Sequence, residues 1–353
     1  MKDILHIVGN RPQFIKLAVL YQELKTSGTV SQKIIHTGQH SSAEMSGIFF
    51  RQLNIPEPDI ILQPLNTAHP DAFIAEATIA LQEYFSLQKE IIAFVYGDTN
   101  TTLAASIAAR RTGVTLFHFE AGVRTGDNNM SEEINRILTD RLADTNYCCT
   151  AQNYQTMLAE GYSSSIGSRV VQTGDLMYDA FLKISFSEKK QVAEKNYVAC
   201  TIHRAANILS KEKLSAIVDA LNMIDKEIKV VLPLHPHTQK RIAEYALQPT
   251  FTILPPLGYP EMKTLLAESS YIITDSGGAA REAFFCGKKS VVIMDNPFWL
   301  EIIDASCSVN SKAETNEILK AFNQLPSLLP NFQSPIFGSG NAAQLIAKDI
   351  LSQ

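Results

Sequence analysis

Ser276, Gly277 and Gly278 form the kind of turn that binds phosphate. The apolar run at residues 271–274 predicts a buried strand, and the residues after the glycines predict a helix capped by Ser276. Glycines let a phosphate approach the backbone, and the first N–H groups of a helix point at such a ligand. Glu282 lies one turn into the helix, where it could accept hydrogen bonds from a ribose. The pattern indicates half of a nucleotide site, although a plain strand-to-helix turn also uses glycine.

Acidic residues follow successive predicted strands in the first half of the chain. Asp98 and Glu120 come after two of these strands, and Glu132 opens the next predicted helix. Because parallel strands end at one edge of a sheet, the three carboxylates are expected to converge there. Crowded carboxylates exchange protons near neutral pH, which indicates acid–base chemistry. Taken singly, each acid also suits the start of a helix.

Basic and imidazole side chains stand at other predicted strand ends. Arg11 lies in the turn after the first strand and Lys16 in the following helix, where both could face a diphosphate. A surface arginine and a solvated lysine are the alternative for this pair. His203 ends a strand in the second half and could donate to a phosphate or sugar oxygen. We expect His235 to face the same site and His237 to face solvent.

The composition argues against several classes of function. The chain has 353 residues, a net charge of −5 and no basic run, so neither a nucleic-acid nor a membrane partner is expected. The five cysteines lack a framework spacing and indicate reduced thiols in a cytoplasm, with Cys148 and Cys149 in the core. No C-x-x-C, H-E-x-x-H or G-x-G-x-x-G pattern stands in a suitable context, so we expect no metal and no nicotinamide or other cofactor.

Short apolar runs alternate with helix-period segments, which predicts parallel α/β sheets. Strands are predicted at residues 4–8, 33–36, 91–96, 115–119, 146–149, 170–173, 198–202, 229–232, 252–254, 271–274 and 290–293. Helices are predicted around residues 14–24 and at 102–109, 132–144, 211–223, 238–246, 261–268, 279–286 and 341–351. A polar stretch at 185–196 is the expected linker. The pattern therefore predicts two doubly wound, Rossmann-like domains, residues 1–184 and 185–339, with residues 340–353 crossing back to the first.

Taken together, these segments resemble the non-hydrolysing UDP-N-acetylglucosamine 2-epimerases. The matching motifs run in family order along nearly the whole chain, at residues 9–16, 37–40, 97–99, 120–127, 132–136, 138–140, 203–204 and 274–278. Each motif is weak alone, but the joint match is specific. The resemblance implies a glycosyltransferase-B architecture, with two Rossmann-like domains facing across a cleft. It also implies a UDP-sugar ligand and a homodimer.

The resemblance further implies an isomerase that converts UDP-N-acetylglucosamine to UDP-N-acetylmannosamine. A base removes the C2 proton, UDP leaves by anti elimination to give a 2-acetamidoglucal, and UDP re-adds as C2 is reprotonated from the other face. By motif position the acid–base candidates are Asp98, Glu120 and Glu132; which acid serves which face stays open. The groups expected to stabilise departing UDP are the cationic and helix-terminal donors Arg11, Lys16, His203, Ser276, Gly277 and Gly278.

The chain departs from the family pattern within and shortly after the helix that follows Ser276, Gly277 and Gly278. Met294 stands where Arg is usual, Pro297 and Phe298 replace Thr-Glu, and Ala280 replaces Gln. Trp299 matches the branch of relatives that act on modified UDP-amino sugars, such as 2,3-diacetamido uronates. A related UDP-amino sugar is therefore an alternative substrate.

Two further departures concern regulation. In members activated by their own substrate, regulatory-site positions correspond to Ser42 and Ala205 of this chain. We therefore expect either that substrate allostery is absent or that a related sugar is the substrate. Three other functions stay open: a glycosyltransferase of the same fold, a hydrolysing epimerase, and an inactive UDP-sugar-binding protein.

Overall fold

The computed structural model describes residues 3–28, 30–39, 50–51, 53–62, 65, 69–188, 191–192 and 196–353. The chain divides into two compact units. The first comprises Met1–Lys183 and Pro335–Gln353, and the second comprises Ile184–Ser334. Both units are α/β with a parallel sheet, which confirms the predicted fold class.

The strands in chain order are β1 (Asp3–Val8), β2 (Gln32–His36), β3 (Ile60–Ile61), β4 (Ile91–Tyr96), β5 (Thr115–Phe119), β6 (Thr145–Cys148), β7 (Arg169–Gln172), β8 (Tyr197–Thr201), β9 (Lys229–Pro233), β10 (Thr252–Leu254), β11 (Tyr271–Thr274), β12 (Ser290–Ile293) and β13 (Ser308–Ser311). In the first unit the sheet order is β3-β2-β1-β4-β5-β6-β7, and in the second it is β10-β9-β8-β11-β12-β13. Every residue of the central strands β4 and β8 is buried, as expected for a parallel sheet covered on both faces.

The helices in chain order are α1 (Arg11–Ser27), α2 (Pro70–Ser86), α3 (Asn100–Thr112), α4 (Ser131–Leu142), α5 (Ala151–Ala159), α6 (Leu176–Lys183), α7 (Ala205–Ile208), α8 (Lys211–Asp225), α9 (Pro236–Glu244), α10 (Tyr259–Glu268), α11 (Gly277–Phe285), α12 (Leu300–Asp304), α13 (Thr315–Gln324) and α14 (Ala342–Leu351). Side chains of Asn10, Thr99 and Ser276 cap α1, α3 and α11, so each of these helices starts with a side-chain oxygen that accepts a backbone N–H. In the described ranges, none of these helices is long and apolar enough to cross a membrane.

Several elements lack a counterpart in the sequence-based prediction. Strand β3 has only two residues, and β13 is polar, so neither produces an apolar run. Helices α2, α5, α6, α7, α12 and α13 were also not predicted. In α2 the buried side chains Phe73, Ala77, Leu81 and Phe85 recur every fourth residue, which is a readable helix signal.

The C-terminal segment packs on the first unit. Asp179 of α6 accepts hydrogen bonds from the backbone N–H groups of Ala342 and Ala343, and so caps the start of α14. Residues Pro335–Gln353 belong to this unit, and the carbonyl oxygen of Phe337 accepts a hydrogen bond from Asp175 N.

Candidate active site

Two acidic turns lie side by side in the first unit, where β4 and β5 end level with each other. Gly97 and Asp98 follow β4, and Glu120 follows β5. The N–H of Gly97 donates to the carbonyl oxygen of Phe119, at 2.8 Å. A Cβ atom placed on Gly97 would lie 3.5 Å from Glu120 Oε2, so the first turn closely approaches the second carboxylate. We call Gly97–Asp98 and Glu120 the acidic turns.

Glu120 is held in an unusual backbone conformation. Its φ of +75° lies in the left-handed region, which costs a non-glycine residue of order 1–3 kcal/mol. The N–H groups of Glu120 and Ala121 both donate to the carbonyl oxygen of Tyr147, which holds the turn. Such strain is typical of functional positions, where the surrounding structure fixes a side chain in one direction.

Lys16 contacts the carboxylate of Glu120 as a buried ion pair. Lys16 is only 3 % exposed and Glu120 7 % exposed. From sequence, Lys16 could face a diphosphate or stay solvated; in the structure its ammonium group contacts a candidate catalytic acid. Arg11, at the first position of α1, is half-buried.

Asp98 is paired with Arg136 of α4. The same guanidinium donates to Glu133 Oε2 at 2.7 Å, and Glu133 in turn accepts from the backbone N–H groups of Thr125 and Gly126. Sequence reasoning placed Glu133 and Arg136 in a motif but gave neither a role, although their spacing of three residues puts them on one helix face. Glu132, the predicted third acid, is exposed at the start of α4.

Gln13 ties the turn after β1 to the turn after β4. Its amide oxygen accepts from Gly9 N at 2.7 Å, and its amide nitrogen donates to Tyr96 O at 2.9 Å and to Thr99 Oγ1 and Thr102 Oγ1 at 3.0 Å. Sequence reasoning assigned no role to this residue. The glutamine therefore holds the residues on both sides of the Gly97–Asp98 turn.

The motif at residues 37–40 also contributes side chains to this edge of the sheet. Thr37 Oγ1 lies 2.7 Å from Thr101 Oγ1, and Thr101 Oγ1 donates to Gln39 Oε1 at 2.8 Å. Motif residues far apart in sequence therefore share one hydrogen-bonded cluster. His40 of the same motif and the predicted regulatory position Ser42 lie outside the described residues.

In the second unit, Ser276, Gly277 and Gly278 form the predicted turn, here called the phosphate turn. Ser276 Oγ accepts from Ala279 N at 3.4 Å, which confirms the predicted cap. Helix α11 starts at Gly277, so its first N–H groups have the orientation that suits an anion. Glu282 is buried one turn further along α11.

Asp275 joins the phosphate turn to the His203 segment. This fully buried carboxylate accepts from the backbone N–H groups of His203 at 3.0 Å and Arg204 at 2.9 Å, and from Asn207 Nδ2 at 3.1 Å. The imidazole of His203 stays 48 % exposed, with Nδ1 3.9 Å from Asp275. The backbone of His203 thus lies beside the phosphate turn, held by an aspartate that sequence reasoning did not single out.

His235, the second histidine predicted at this site, lies beside His203. His235 caps α9 by accepting from His237 N, and both side chains are exposed. The rings of His203 and His235 are 6.3 Å apart. Within the described ranges no group of His, Cys, Asp and Glu side chains has the arrangement of a metal site.

Comparison with known proteins decides the family. The model of the UDP-N-acetylglucosamine 2-epimerase family matches residues 22–351. The chain belongs to that family. As a member, it is an isomerase, a UDP-sugar 2-epimerase.

Among curated relatives, the enzyme is 36 % identical over 349 residues to the UDP-2,3-diacetamido-2,3-dideoxy-D-glucuronate 2-epimerase of Pseudomonas aeruginosa, and 98 % of each chain is covered. It is 30 % identical over 362 residues to the UDP-N-acetylglucosamine 2-epimerase of Methanocaldococcus jannaschii, covering 97 % of each. The crystal structure of the M. jannaschii UDP-GlcNAc 2-epimerase in complex with UDP-GlcNAc and UDP superimposes with a TM-score of 0.92 at 29 % identity and full coverage of both chains. The glycosyltransferase-B-type fold is thereby confirmed.

The departures from the family pattern pack directly on the phosphate turn of the epimerase. The indole Nε1 of Trp299 donates to the carbonyl oxygen of Gly277 at 3.0 Å. A Cβ atom placed on Gly277 would lie 2.5 Å from Phe298 Cδ2, so this ring closes over the turn. Met294 and Ala280 are buried in the same apolar cluster. The residues that depart from the family pattern therefore pack against one another in a single cluster.

Two arginines lie on these aromatic rings. The guanidinium of Arg204 stands 5.1 Å from the centre of the Phe298 ring, and that of Arg281 stands 4.6 Å from the Trp299 ring. Cations over aromatic faces at this distance gain roughly 0.5–2 kcal/mol. Positive charge is therefore held close to the phosphate turn.

Proposed function

We propose that the enzyme inverts C2 of UDP-N-acetylglucosamine to give UDP-N-acetylmannosamine, by anti elimination of UDP and re-addition to a 2-acetamidoglucal. The close approach of the Gly97–Asp98 turn to Glu120 supports this reaction most strongly. Inversion at C2 needs one group to remove a proton from one face and another to return a proton to the opposite face. Two carboxylates on neighbouring strand ends provide that pair.

Each of these carboxylates has a buried cationic partner. Lys16 holds Glu120, and Arg136 holds Asp98. The partners fix the direction of each carboxylate before substrate binds, which lowers the cost of reaching the reactive geometry. Glu132 is the third acid by motif position, and its side chain is exposed at the start of α4.

The phosphate turn and its neighbours are proposed to hold UDP. The capped start of α11 offers N–H groups to the diphosphate, and His203 offers an imidazole N–H beside it. Glu282 is proposed to bind the ribose. Arg11, at the start of α1, is proposed as a further substrate-binding cation. These donors would stabilise UDP as it departs with both electrons of the C1–O bond.

The test is proton NMR of the enzyme with UDP-N-acetylglucosamine in D2O. We expect the manno epimer to appear with deuterium at C2. D98N and E120Q should each lower the rate by about 10²–10⁴-fold, the usual contribution of one acid or base. D71N is the matched control, since Asp71 is exposed in the first turn of α2 in the same unit. Full activity of both D98N and E120Q would refute the assignment.

The same assay separates the competing activities. Stoichiometric accumulation of free UDP would indicate a hydrolysing epimerase, and sugar transfer to an acceptor without inversion would indicate a glycosyltransferase. No exchange at C2 with any UDP-amino sugar would indicate a binding protein.

A second candidate substrate is a UDP-2,3-diacetamido-2,3-dideoxy uronate. The 36 % identity to the P. aeruginosa enzyme favours it, as does the packing of Trp299 and Phe298 on the phosphate turn. Parallel measurement of kcat/KM on both UDP-sugars decides between the two. A higher kcat/KM on the diacetamido uronate would identify that UDP-sugar, and not UDP-N-acetylglucosamine, as the substrate.

We also propose that the enzyme is a homodimer without substrate allostery. Ala205, the first residue of α7, has no side chain with which to bind an anionic effector. A hyperbolic rate curve with UDP-N-acetylglucosamine is expected, and a strongly sigmoidal curve would contradict the proposal. Light scattering at several protein concentrations tests the dimer.

A further inference from the structure

A buried histidine connects the two acidic turns. His118 of β5 is fully buried, and its Nε2 lies 2.8 Å from the carbonyl oxygen of Gly97. Its Nδ1 lies 2.8 Å from Asp140 Oδ1. Gly97 immediately precedes Asp98, and His118 stands two residues before Glu120. The imidazole therefore joins the backbone of one acidic turn to the strand that carries the other.

Both partners of His118 accept hydrogen bonds. A carbonyl oxygen has no proton to give. Asp140 already accepts from Arg124 NH1 at 2.7 Å and from Gly122 N at 3.2 Å through its other oxygen. A neutral imidazole donates from one nitrogen only, whereas an imidazolium donates from both. The contacts of His118 match the imidazolium.

The surrounding charges balance such a cation. Burial raises the pKa of Asp140, but the hydrogen bond and charge of His118 and those of Arg124 outweigh it and hold the pKa below its usual value. Arg124 also pairs with Glu160 at 2.8 Å. Cys148 and Tyr162 face Asp140 as well, and burial raises the pKa of both, so neither adds charge at neutral pH.

We propose that His118 is a positioning residue, held as an imidazolium by Asp140, that fixes the Gly97–Asp98 turn against Glu120. The histidine touches no reacting atom in this role. It acts by setting the Gly97 carbonyl, and hence the direction of the adjacent aspartate. The catalytic consequence rests on the proposed roles of Asp98 and Glu120, whereas the protonation state of His118 does not.

His6 provides a natural contrast in the same sheet. It is also fully buried on β1, and its ring nitrogens contact Tyr96 OH at 2.7 Å and Gln32 Oε1 at 3.0 Å. A hydroxyl can donate as well as accept, so a neutral ring satisfies both contacts. Burial lowers the pKa of His6 to about 4, with the Gln32 hydrogen bond acting in the opposite direction. Burial alone therefore leaves this histidine neutral.

The protonation is tested by nitrogen NMR of the whole enzyme labelled with 15N-histidine at neutral pH. We expect both ring nitrogens of His118 to resonate as protonated nitrogens, and His6 to show one protonated and one unprotonated nitrogen. Signals are assigned by their loss in H118Q and in H6Q, or by through-bond connection to the backbone if either variant fails to fold. An unprotonated ring nitrogen on His118 would overturn the proposal.

The positioning role is tested by two conservative variants. In H118Q the amide nitrogen replaces Nε2 and keeps the bond to Gly97 O, whereas in H118N it replaces Nδ1 and keeps only the bond to Asp140. We expect H118N to lower kcat about 100-fold without changing KM, as for a misplacement of about 1 Å. H118Q should restore most of that loss. H6Q, the matched control, should leave kcat unchanged.

The outcomes separate this inference from the proposed function. Unchanged kcat in H118N, or equal losses in H118N and H118Q, would overturn the positioning role. If D98N and E120Q kept full activity while NMR showed the imidazolium, the proposed catalytic roles would fail and the charged network would stand.

Discussion

Replacing Lys16 by methionine tests what its buried contact with Glu120 contributes to stability and catalysis. The side chains of Lys16 and Glu120 are 4 % and 10 % exposed, and they form an ion pair. In K16M the carboxylate stays buried without this cation. Removing one partner of a buried pair costs about 3–5 kcal/mol, and unit charges about 4 Å apart at an effective dielectric constant of about 20 attract by about 4 kcal/mol. We expect K16M to lower the free energy of unfolding by about 3–5 kcal/mol.

The assay combines urea unfolding, UDP titration calorimetry and epimerisation rates. The double variant K16M/E120Q should be more stable than K16M, because the buried charge has been removed together with its partner. The affinity for UDP should stay unchanged, since the ammonium group contacts a carboxylate of the first unit. The epimerisation rate should fall, because Glu120 loses its fixed direction.

K25M is the matched control, because Lys25 is exposed on the same helix. It should leave unfolding, UDP affinity and rate unaltered. A large loss of UDP affinity in K16M with unchanged unfolding would refute the reasoning and support the diphosphate role predicted from sequence.

Three further predictions concern the phosphate turn and the buried His6. G277A should lower the free energy of unfolding by about 1–3 kcal/mol, because the added methyl group overpacks against Phe298. In a double-mutant unfolding cycle, adding F298A should recover part of this loss. Losses that simply add in the double variant would contradict the contact. S276A should lose about 1 kcal/mol with its cap and weaken UDP binding in calorimetry. The pKa of His6 is about 4 in the folded protein and 6.5 in the unfolded chain, so the free energy of unfolding should fall as the pH drops from 6.5 to 4, by up to about 1.4 kcal/mol per pH unit. H6Q should flatten this pH dependence. Equal slopes for H6Q and the unmodified enzyme would exclude His6 as the cause.

Local signals in the sequence were sufficient for much of the fold. The strands at residues 91–96, 115–119 and 271–274 were predicted with the bounds that the structure shows, because each is a short, mainly apolar run followed by glycine or an acidic residue. Ser276 was predicted as a cap from its place before two glycines. Burial and capping depend on neighbours a few residues away, which the sequence displays directly.

Side-chain direction within a motif was not readable in the same way. Glu132 and Glu133 are adjacent acids at a helix start, yet the first is exposed and the second is buried against Arg136. The pattern of charges gives no preference between them. Only the rotation of α4 against its sheet decides which acid turns inward.

The sequence by itself determined the α/β class, the strand-to-helix turns and the chemical types gathered at the strand ends. The tertiary structure decided the pairing of those groups: Lys16 with Glu120, Arg136 with Asp98, and His118 between Gly97 and Asp140. The first of these pairs is separated by 104 residues. Hydrophobic periodicity specifies which face of an element is buried, but the partner of a polar group depends on the order and register of strands brought together from distant parts of the chain.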